Sequence, residues 1–241
     1  MLPKEIASQI VWPDGLSSEL KQQLCAVGQL VKDIKPKPDS SYEPASGIWY
    51  VLDGVITLYM QIPSLSTVNS VVLGRGDWFG HFDETEENNP FIQVVQVIPL
   101  IAVFMPSEQI MRLAQTNHEV YKWYYLQGLI MKPKWLQAQV IRSGSVMERI
   151  IYILLDIAAR QGSSVKATYP IPLSQNQLSL LTDISRQRVN EALKALERAQ
   201  AIEVHRGQIL LTDISKLATR LQGYDLAFHN PLEIMDTRQE N

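Results

Sequence analysis

The chain has 241 residues, 46% hydrophobic and 20% charged, which allows one or two domains whose core needs no covalent staples. A single cysteine, Cys25, excludes an internal disulfide, a cysteine-ligated iron–sulfur cluster and a cysteine-rich zinc site within one chain. The net charge of −3 is unevenly spread: residues 1–141 carry 10 Lys and Arg against 14 Asp and Glu, residues 142–222 carry 11 against 7, and residues 223–241 carry 1 against 4. The basic block is therefore confined to the C-terminal third, where phosphate contact would need it.

The opening MLPKEIASQIVW has no long apolar run, so no export signal is expected. No apolar stretch reaches membrane-spanning length, and a cytoplasmic chain without membrane contact is the expectation. Ser17 to about Gln29 reads as a short amphipathic helix with Leu20, Leu24 and Val27 inward and Cys25 as a small core residue. Lys35-Pro36-Lys37-Pro38 breaks it. From about Tyr42 to Pro106 the pattern becomes short β-rich runs. Ile48–Leu52 and Val55–Met60 flank Asp53-Gly54, a hairpin signal. Val68–Leu73, Phe91–Ile98 and Leu100–Met105 are further strands, and Gly74, Gly76 and Gly80 punctuate a turn around Asp77-Trp78-Phe79. Such spacing suggests a small β-barrel or jelly roll.

Helical sequence follows, first over Ser107 to Ala114 and then over His118 to about Arg142. On the longer helix Tyr121, Tyr124, Gly128, Met131, Trp135 and Ala138 follow the three-four spacing of a coiled-coil seam, which predicts pairing with a second copy. The alternative is packing on the chain's own barrel. With Trp123, Leu126, Ile130 and Val140 beside the seam the helix is apolar on two sides, so one can cover the barrel while the other meets a partner helix. Pro133 should kink this helix or remove one backbone hydrogen bond. Ser143-Gly144-Ser145 is small enough for an interdomain hinge, and Met147 to Gln161 reads as another apolar helix.

The stretch from Ile171 to Leu211 carries the most information. Ser174 and Gln177 have capping-box spacing, and Leu178, Leu180 and Leu181 give the short helix after them an apolar side. Ser185 caps a second helix to about Gln200, with Val189, Ala192, Leu193 and Leu196 on one face and Arg186, Gln187, Asn190, Glu191 and Lys194 on the other. Two short helices joined by a tight turn make a helix-turn-helix whose second helix offers its first polar residues to DNA base edges. Ala201–His205, a turn at Arg206-Gly207-Gln208 and Ile209–Leu211 then read as the hairpin wing of a winged helix. Arg can bond guanine, and Asn and Gln can bond adenine, which makes Arg186, Gln187 and Asn190 the base-reading candidates and Ser174, Arg188, Lys194, His205 and Arg206 the phosphate candidates. After Gly223 periodicity fades, and a docked segment or a fraying end both fit.

β-rich domain, long helix, small-residue hinge and winged helix stand here in one order. With Trp49-Tyr50-Val51-Leu52-Asp53-Gly54-Val55, Gly76-Asp77-Trp78-Phe79-Gly80 and Ile184-Ser185-Arg186-Gln187-Arg188-Val189, the chain resembles the cyclic-AMP receptor protein and fumarate–nitrate reductase regulator (Crp/Fnr) superfamily of bacterial transcription factors from about Leu16 to Gly223. The resemblance implies an α+β fold: a β-roll sensor domain over 1–116, a dimerisation helix over 117–142, a winged helix-turn-helix over 143–223 and a tail over 224–241. It implies a homodimer on a near-palindromic double-stranded operator, with RNA polymerase a further candidate partner. Arg186 matches the family's base-reading arginine, whereas Gln187 stands where many members have glutamate, Glu191 replaces a common basic residue and Asp183 replaces the turn glycine. Asp tolerates left-handed geometry better than most residues.

The effector region departs from the cyclic-AMP-binding pattern. Gly80 is followed by His81-Phe82-Asp83, and no Arg or Lys lies between Arg75 and Arg112. A phosphate buried without a cation costs too much, so no cyclic-AMP response is expected. Trp78, Gly80, His81 and Phe82 with Tyr121, Tyr124 and Tyr125 are candidates to line a pocket for an unidentified small organic effector. His81, His118, His205 and His229 have no ligand spacing, so no metal or other cofactor is expected. Gly74-x-Gly76-x-x-x-Gly80 is off the dinucleotide spacing, and no nucleotide or nucleophile motif supports an enzyme. The alternative is a β-roll sensor that acts through protein contacts, its DNA-binding domain degenerate.

Overall fold

The computed structural model describes residues 1–32, 45–61, 67–81, 92–161 and 168–237. Helices α1 (Lys4–Ala7) and α2 (Ser18–Val27) open the chain; Ser17 caps α2 by accepting the Leu20 N–H. Strands β1 (Gln29–Lys32), β2 (Gly47–Gln61), β3 (Thr67–Leu73), β4 (Trp78–His81) and β5 (Ile92–Pro106) form one antiparallel sheet in the order β1-β5-β2-β3, with β4 also paired to β2. The proline-rich break at 35–38 lies outside the described residues.

Two expectations about this sheet are corrected. Asp53-Gly54 is not a hairpin turn, and 92–98 and 100–105 are not separate strands. β2 and β5 each run for 15 residues and pair along their length, with register shifts around Asp53 and Val55. Gly54 has φ +95°, and a Cβ there would sit 2.2 Å from the Pro99 carbonyl oxygen. The ladder skips Pro99, whose missing N–H has nothing to donate. The bulge also inverts the alternation of β2: Trp49 and Val51 share one apolar cluster with Ile56 and Leu58, while Tyr50 and Leu52 before it, and Val55 and Tyr59 after it, lie in others.

Helices α3 (Ser107–Ala114) and α4 (Glu119–Arg142) follow, and α4 continues through Pro133. α5 (Val146–Ala159) starts from a capping box between Ser145 and Glu148, and every residue from Ile150 to Ala159 is buried. A helix apolar all round belongs in the middle of a core. Around it stand β6 (Tyr169–Ile171), α6 (Gln175–Thr182), α7 (Arg186–Arg198), β7 (Ile202–His205), β8 (Gln208–Leu211), α8 (Ile214–Thr219) and α9 (Pro231–Thr237). The core of this second half reaches into the first, taking Val55, Tyr59, Val72, Val95 and Val97 of the large sheet, and Ser70 Oγ donates to the Leu181 carbonyl at 2.8 Å. Among the described residues no helix is long and apolar enough to cross a membrane.

Candidate nucleic-acid interface and effector cleft

α6 begins at the predicted capping box: Ser174 Oγ accepts the Gln177 N–H at 3.2 Å, and the Gln177 carboxamide oxygen accepts the Ser174 N–H at 2.9 Å. It ends at Asp183, which takes the left-handed conformation at φ +51°, ψ +43° that the turn requires. Arg149 of α5 donates to the Thr182 and Asp183 carbonyls, and Arg142 at the end of α4 pairs with the Asp183 carboxylate at 3.5 Å. The turn is thus fastened to the two helices before it. Ser185 Oγ accepts the Arg188 N–H and starts α7.

On α7, Val189, Ala192, Leu193 and Leu196 are buried as the spacing predicts. Arg186, Gln187, Arg188, Glu191 and Lys194 are exposed, and Asn190 is half-buried. Gln187 Nε2 donates to the Glu191 carboxylate at 3.0 Å, so these two side chains act as a pair. Behind the helix β7 and β8 meet at Arg206-Gly207, where Gly207 has φ +74°, and exposed Arg206 and His205 stand at the tip. His205 lies 3.3 Å from Glu203. The sequence reading missed β6, which adds a third strand against β8. Ser174 is placed differently from the other phosphate candidates: its hydroxyl also donates to Gln177 Oε1 at 3.0 Å, so its one donor serves the cap.

The family model of the Crp-like helix-turn-helix domain matches residues 148–220. Those residues are a Crp-like helix-turn-helix domain. Solved structures of similar fold extend the likeness over most of the chain. A crp/fnr-family transcriptional regulator from Eubacterium rectale superposes with a TM-score of 0.63 at 13% identity, over 86% of this chain and 95% of that one. FixK2 from Bradyrhizobium japonicum gives 0.57 at 17% identity over 80% and 96%. CLP, the c-di-GMP responsive global regulator of Xanthomonas campestris, gives 0.55 at 17% identity over 81% and 99%. The chain has the Crp/Fnr regulator fold, with the cyclic-nucleotide-binding-like sheet in front of the Crp-like domain. No curated protein matches it in sequence.

Between the sheet and α4 lies a cleft of about 780 Å³. Trp78, Gly80, His81, Tyr121, Tyr124 and Tyr125, the predicted lining, meet around it; Phe82 lies outside the described residues. Leu58, Phe79, Gln127 and Lys132 also line it and escaped the sequence reading, because no local pattern ties them to a common wall. Trp78 is the structural anchor, its ring 4.6 Å from Tyr50, 5.3 Å from Trp12 and 5.6 Å from Trp123, centroid to centroid. Gln127 is buried, and its Nε2 has no hydrogen-bond partner among the described residues.

The predicted dimer seam divides. Tyr121, Tyr124 and Gly128 are exposed, but Met131 and Ala138 are 9% and 7% exposed and pack, with Trp135, into the chain's own sheet. The second half of the seam is therefore an intrachain contact. Exposed Tyr125, Leu129, Ile130 and Leu136 extend the outward apolar face instead.

A buried charge cluster joins the sheet to the Crp-like domain. Asp77, beside Trp78, is ion-paired with Lys134 of α4 at 2.7 Å, accepts from Arg160 at 3.0 Å, and takes the Gly74 N–H at 2.9 Å. Arg160 also approaches Asp156 at 3.5 Å, and His229 lies 3.0 Å from Asp156. Burial holds the Lys134 ammonium below the ordinary lysine range against the pull of Asp77. Burial pushes the Asp156 carboxyl up, but the His229 hydrogen bond and Arg160 outweigh it, leaving the carboxyl below its usual range. Nothing local in the sequence links residues as far apart as Asp77, Lys134, Asp156 and His229.

Proposed function

We propose that the chain is a homodimeric, sequence-specific DNA-binding transcription regulator, not an enzyme. The observation that carries this is the α7 face. Arg186, Gln187, Arg188 and Lys194 stand in solvent on a helix whose opposite face is core, beside a wing tipped by Arg206. Buried structure does not need that pattern, whereas a helix entering a major groove does. Arg186 reads guanine, Gln187 and Asn190 read adenine, and Arg188, Lys194, His205 and Arg206 contact phosphate. The phosphate role read for Ser174 passes to its neighbours, since the hydroxyl is occupied. Two copies meet through Tyr121, Tyr124, Gly128 and the exposed apolar residues Tyr125, Leu129, Ile130 and Leu136, and place two α7 helices on successive major grooves. RNA polymerase is a candidate contact of the DNA-bound dimer.

The cleft is the effector site of this reading. Its wall of Trp, Tyr and Phe with Lys132 at the rim and no arginine suits a small organic molecule better than a cyclic nucleotide. Titration calorimetry with cyclic AMP and cyclic GMP should show no micromolar binding.

Selection of bound fragments from random DNA tests the main claim. A near-palindrome should emerge, and Arg186→Ala should weaken it by about 1–3 kcal/mol while relaxing one base position. Equal weakening on all sequences would mean that Arg186 touches only backbone. The Glu191 carboxylate on the same face favours a second reading, a sensor working through protein contacts. A dimer without sequence-selective DNA affinity at low salt would select it.

A further inference from the structure

The chain continues past the Crp-like domain, and its continuation folds back over the junction between α4 and α5. Tyr224 Oη donates to the Val140 carbonyl at 2.7 Å and lies 3.2 Å from Ser143 Oγ. Val140 belongs to the last turn of α4, and its carbonyl also accepts the Ser143 N–H and the Ser143 hydroxyl, so Tyr224 adds a donor from a distant segment to a carbonyl already held by the hinge. The same ring covers the hinge: a Cβ on Gly144 would lie 2.8 Å from the Tyr224 hydroxyl oxygen. One turn earlier on α4, Gln137 is fully buried, and its carboxamide is used up by the same segment. Its Nε2 donates to the Asp225 carbonyl at 2.8 Å, and its Oε1 accepts the Phe228 and His229 N–H groups at 3.2 and 3.3 Å.

Beyond these contacts the segment crosses to the other side of the hinge. Tyr152 of α5 donates to the His229 carbonyl at 3.5 Å, and the His229 ring reaches Asp156 at 3.0 Å. Leu232, Ile234 and Met235 of α9 then pack into the core around α5. Asp156 passes the connection to Arg160, and Arg160 to Asp77 beside the cleft.

We propose that Tyr224–Thr237 is an intramolecular strap that sets the angle between α4 and the DNA-binding domain, and that the Asp77 cluster links this setting to the cleft wall. A segment bonded to both sides of a hinge opposes rotation, because turning the hinge breaks the two sets of contacts together. Losing them leaves the buried Gln137 carboxamide unpaired, a costly state for a polar group out of water. The strap therefore has two discrete conditions, seated or released. Any change that moves Asp77 or Lys134, whose neighbours Trp78 and Trp135 line the cleft, shifts the balance between them.

Hydrogen exchange on the full-length protein tests this without DNA or effector, so its outcome is independent of the DNA-binding reading. The paired variant Gln137→Ala/Tyr224→Phe should speed exchange at the Ser143 and Gly144 amides, bonded to the Val140 and Ile141 carbonyls, at least tenfold. Amides of the large sheet and of α7 should keep their wild-type rates. A chain ending at Gly223 should do the same, and adding a synthetic 224–237 peptide should restore the protection. If that truncated chain fails to fold, the paired variant decides. Hinge exchange within twofold of wild type would overturn the proposal. So would a uniform rise across both domains, because the segment would then be ordinary core packing.

Discussion

The two halves of α4 are made of similar residues and face opposite tasks. From Glu119 to Ile130 the helix buries Val120, Trp123 and Gln127 and leaves Tyr121, Tyr124, Tyr125, Leu129 and Ile130 in solvent. From Met131 to Arg142 it buries Met131, Lys134, Gln137, Ala138 and Ile141. Composition alone does not separate the halves, since each buries polar side chains, Gln127 in the first and Lys134 and Gln137 in the second, among apolar ones. What separates them is the partners of those side chains. Lys134 is ion-paired with Asp77 at 2.7 Å, and Gln137 is hydrogen-bonded to the C-terminal segment. Gln127 keeps an unpartnered Nε2 beside the cleft. The first half is thus open to a second copy and a ligand, and the second half is committed to holding the domains of its own chain together.

The largest expected effect breaks the committed half. Asp77→Ala leaves two buried cations, Lys134 and Arg160, without their shared carboxylate. Removing one member of a buried ion group costs about 3–5 kcal/mol. Denaturant unfolding should show that loss, and a shift under about 1 kcal/mol would mean that water reaches the cluster. The open half gives a contrasting result. Tyr125 is 65% exposed, so Tyr125→Glu should leave the unfolding midpoint of the subunit almost unchanged. Placing like charges opposite each other in the proposed dimer costs several kcal/mol, and sedimentation should show about a hundredfold weaker association. An unaltered dimer would move the seam off this face.

A smaller effect sharpens the reading face of α7. Glu191 holds the Gln187 carboxamide in one orientation through the bond to Nε2. Glu191→Ala frees that group to flip, so the base opposite Gln187 should become less well defined while affinity changes by only about 1 kcal/mol or less. Binding-site selection with the variant decides. An unchanged preference at that position would mean that Gln187 does not read a base.

What could be read from the sequence follows the same division. α6, α7 and the wing were legible because their signals are local: Ser174 with Gln177, Ser185 before Arg186, the spacing of Val189, Leu193 and Leu196, and an aspartate at the left-handed turn. The cleft was legible as a set of aromatics but not as a volume, since Leu58, Phe79 and Gln127 join it only through the packing of α4 on the sheet. Asp53-Gly54 misled because a hairpin and a bulge use the same dipeptide; pairing with β5, some forty residues away, decided between them. The charge cluster and the C-terminal segment were illegible for the same reason. Asp77 meets Arg160 across 83 residues and Gln137 meets Asp225 across 88, and single side chains carry no sign of such distant partners.

The smallest expected effect separates a cap from a phosphate contact. Ser174 stands at the N-terminus of α6, where a hydroxyl can serve either purpose. Its one hydroxyl hydrogen, the group a phosphate would need, is donated to Gln177 Oε1. Ser174→Ala should therefore cost about 0.5–2 kcal/mol of stability through the lost cap. It should leave the slope of log affinity against log salt unchanged, because no phosphate neutralisation is removed. Lys194→Ala should do the reverse, keeping the unfolding midpoint and lowering that slope by about one. If Ser174→Ala spares stability and weakens all DNA sequences alike, the hydroxyl leaves the cap when DNA arrives. The first turn of α6 would then belong to the interface and not to the scaffold behind it.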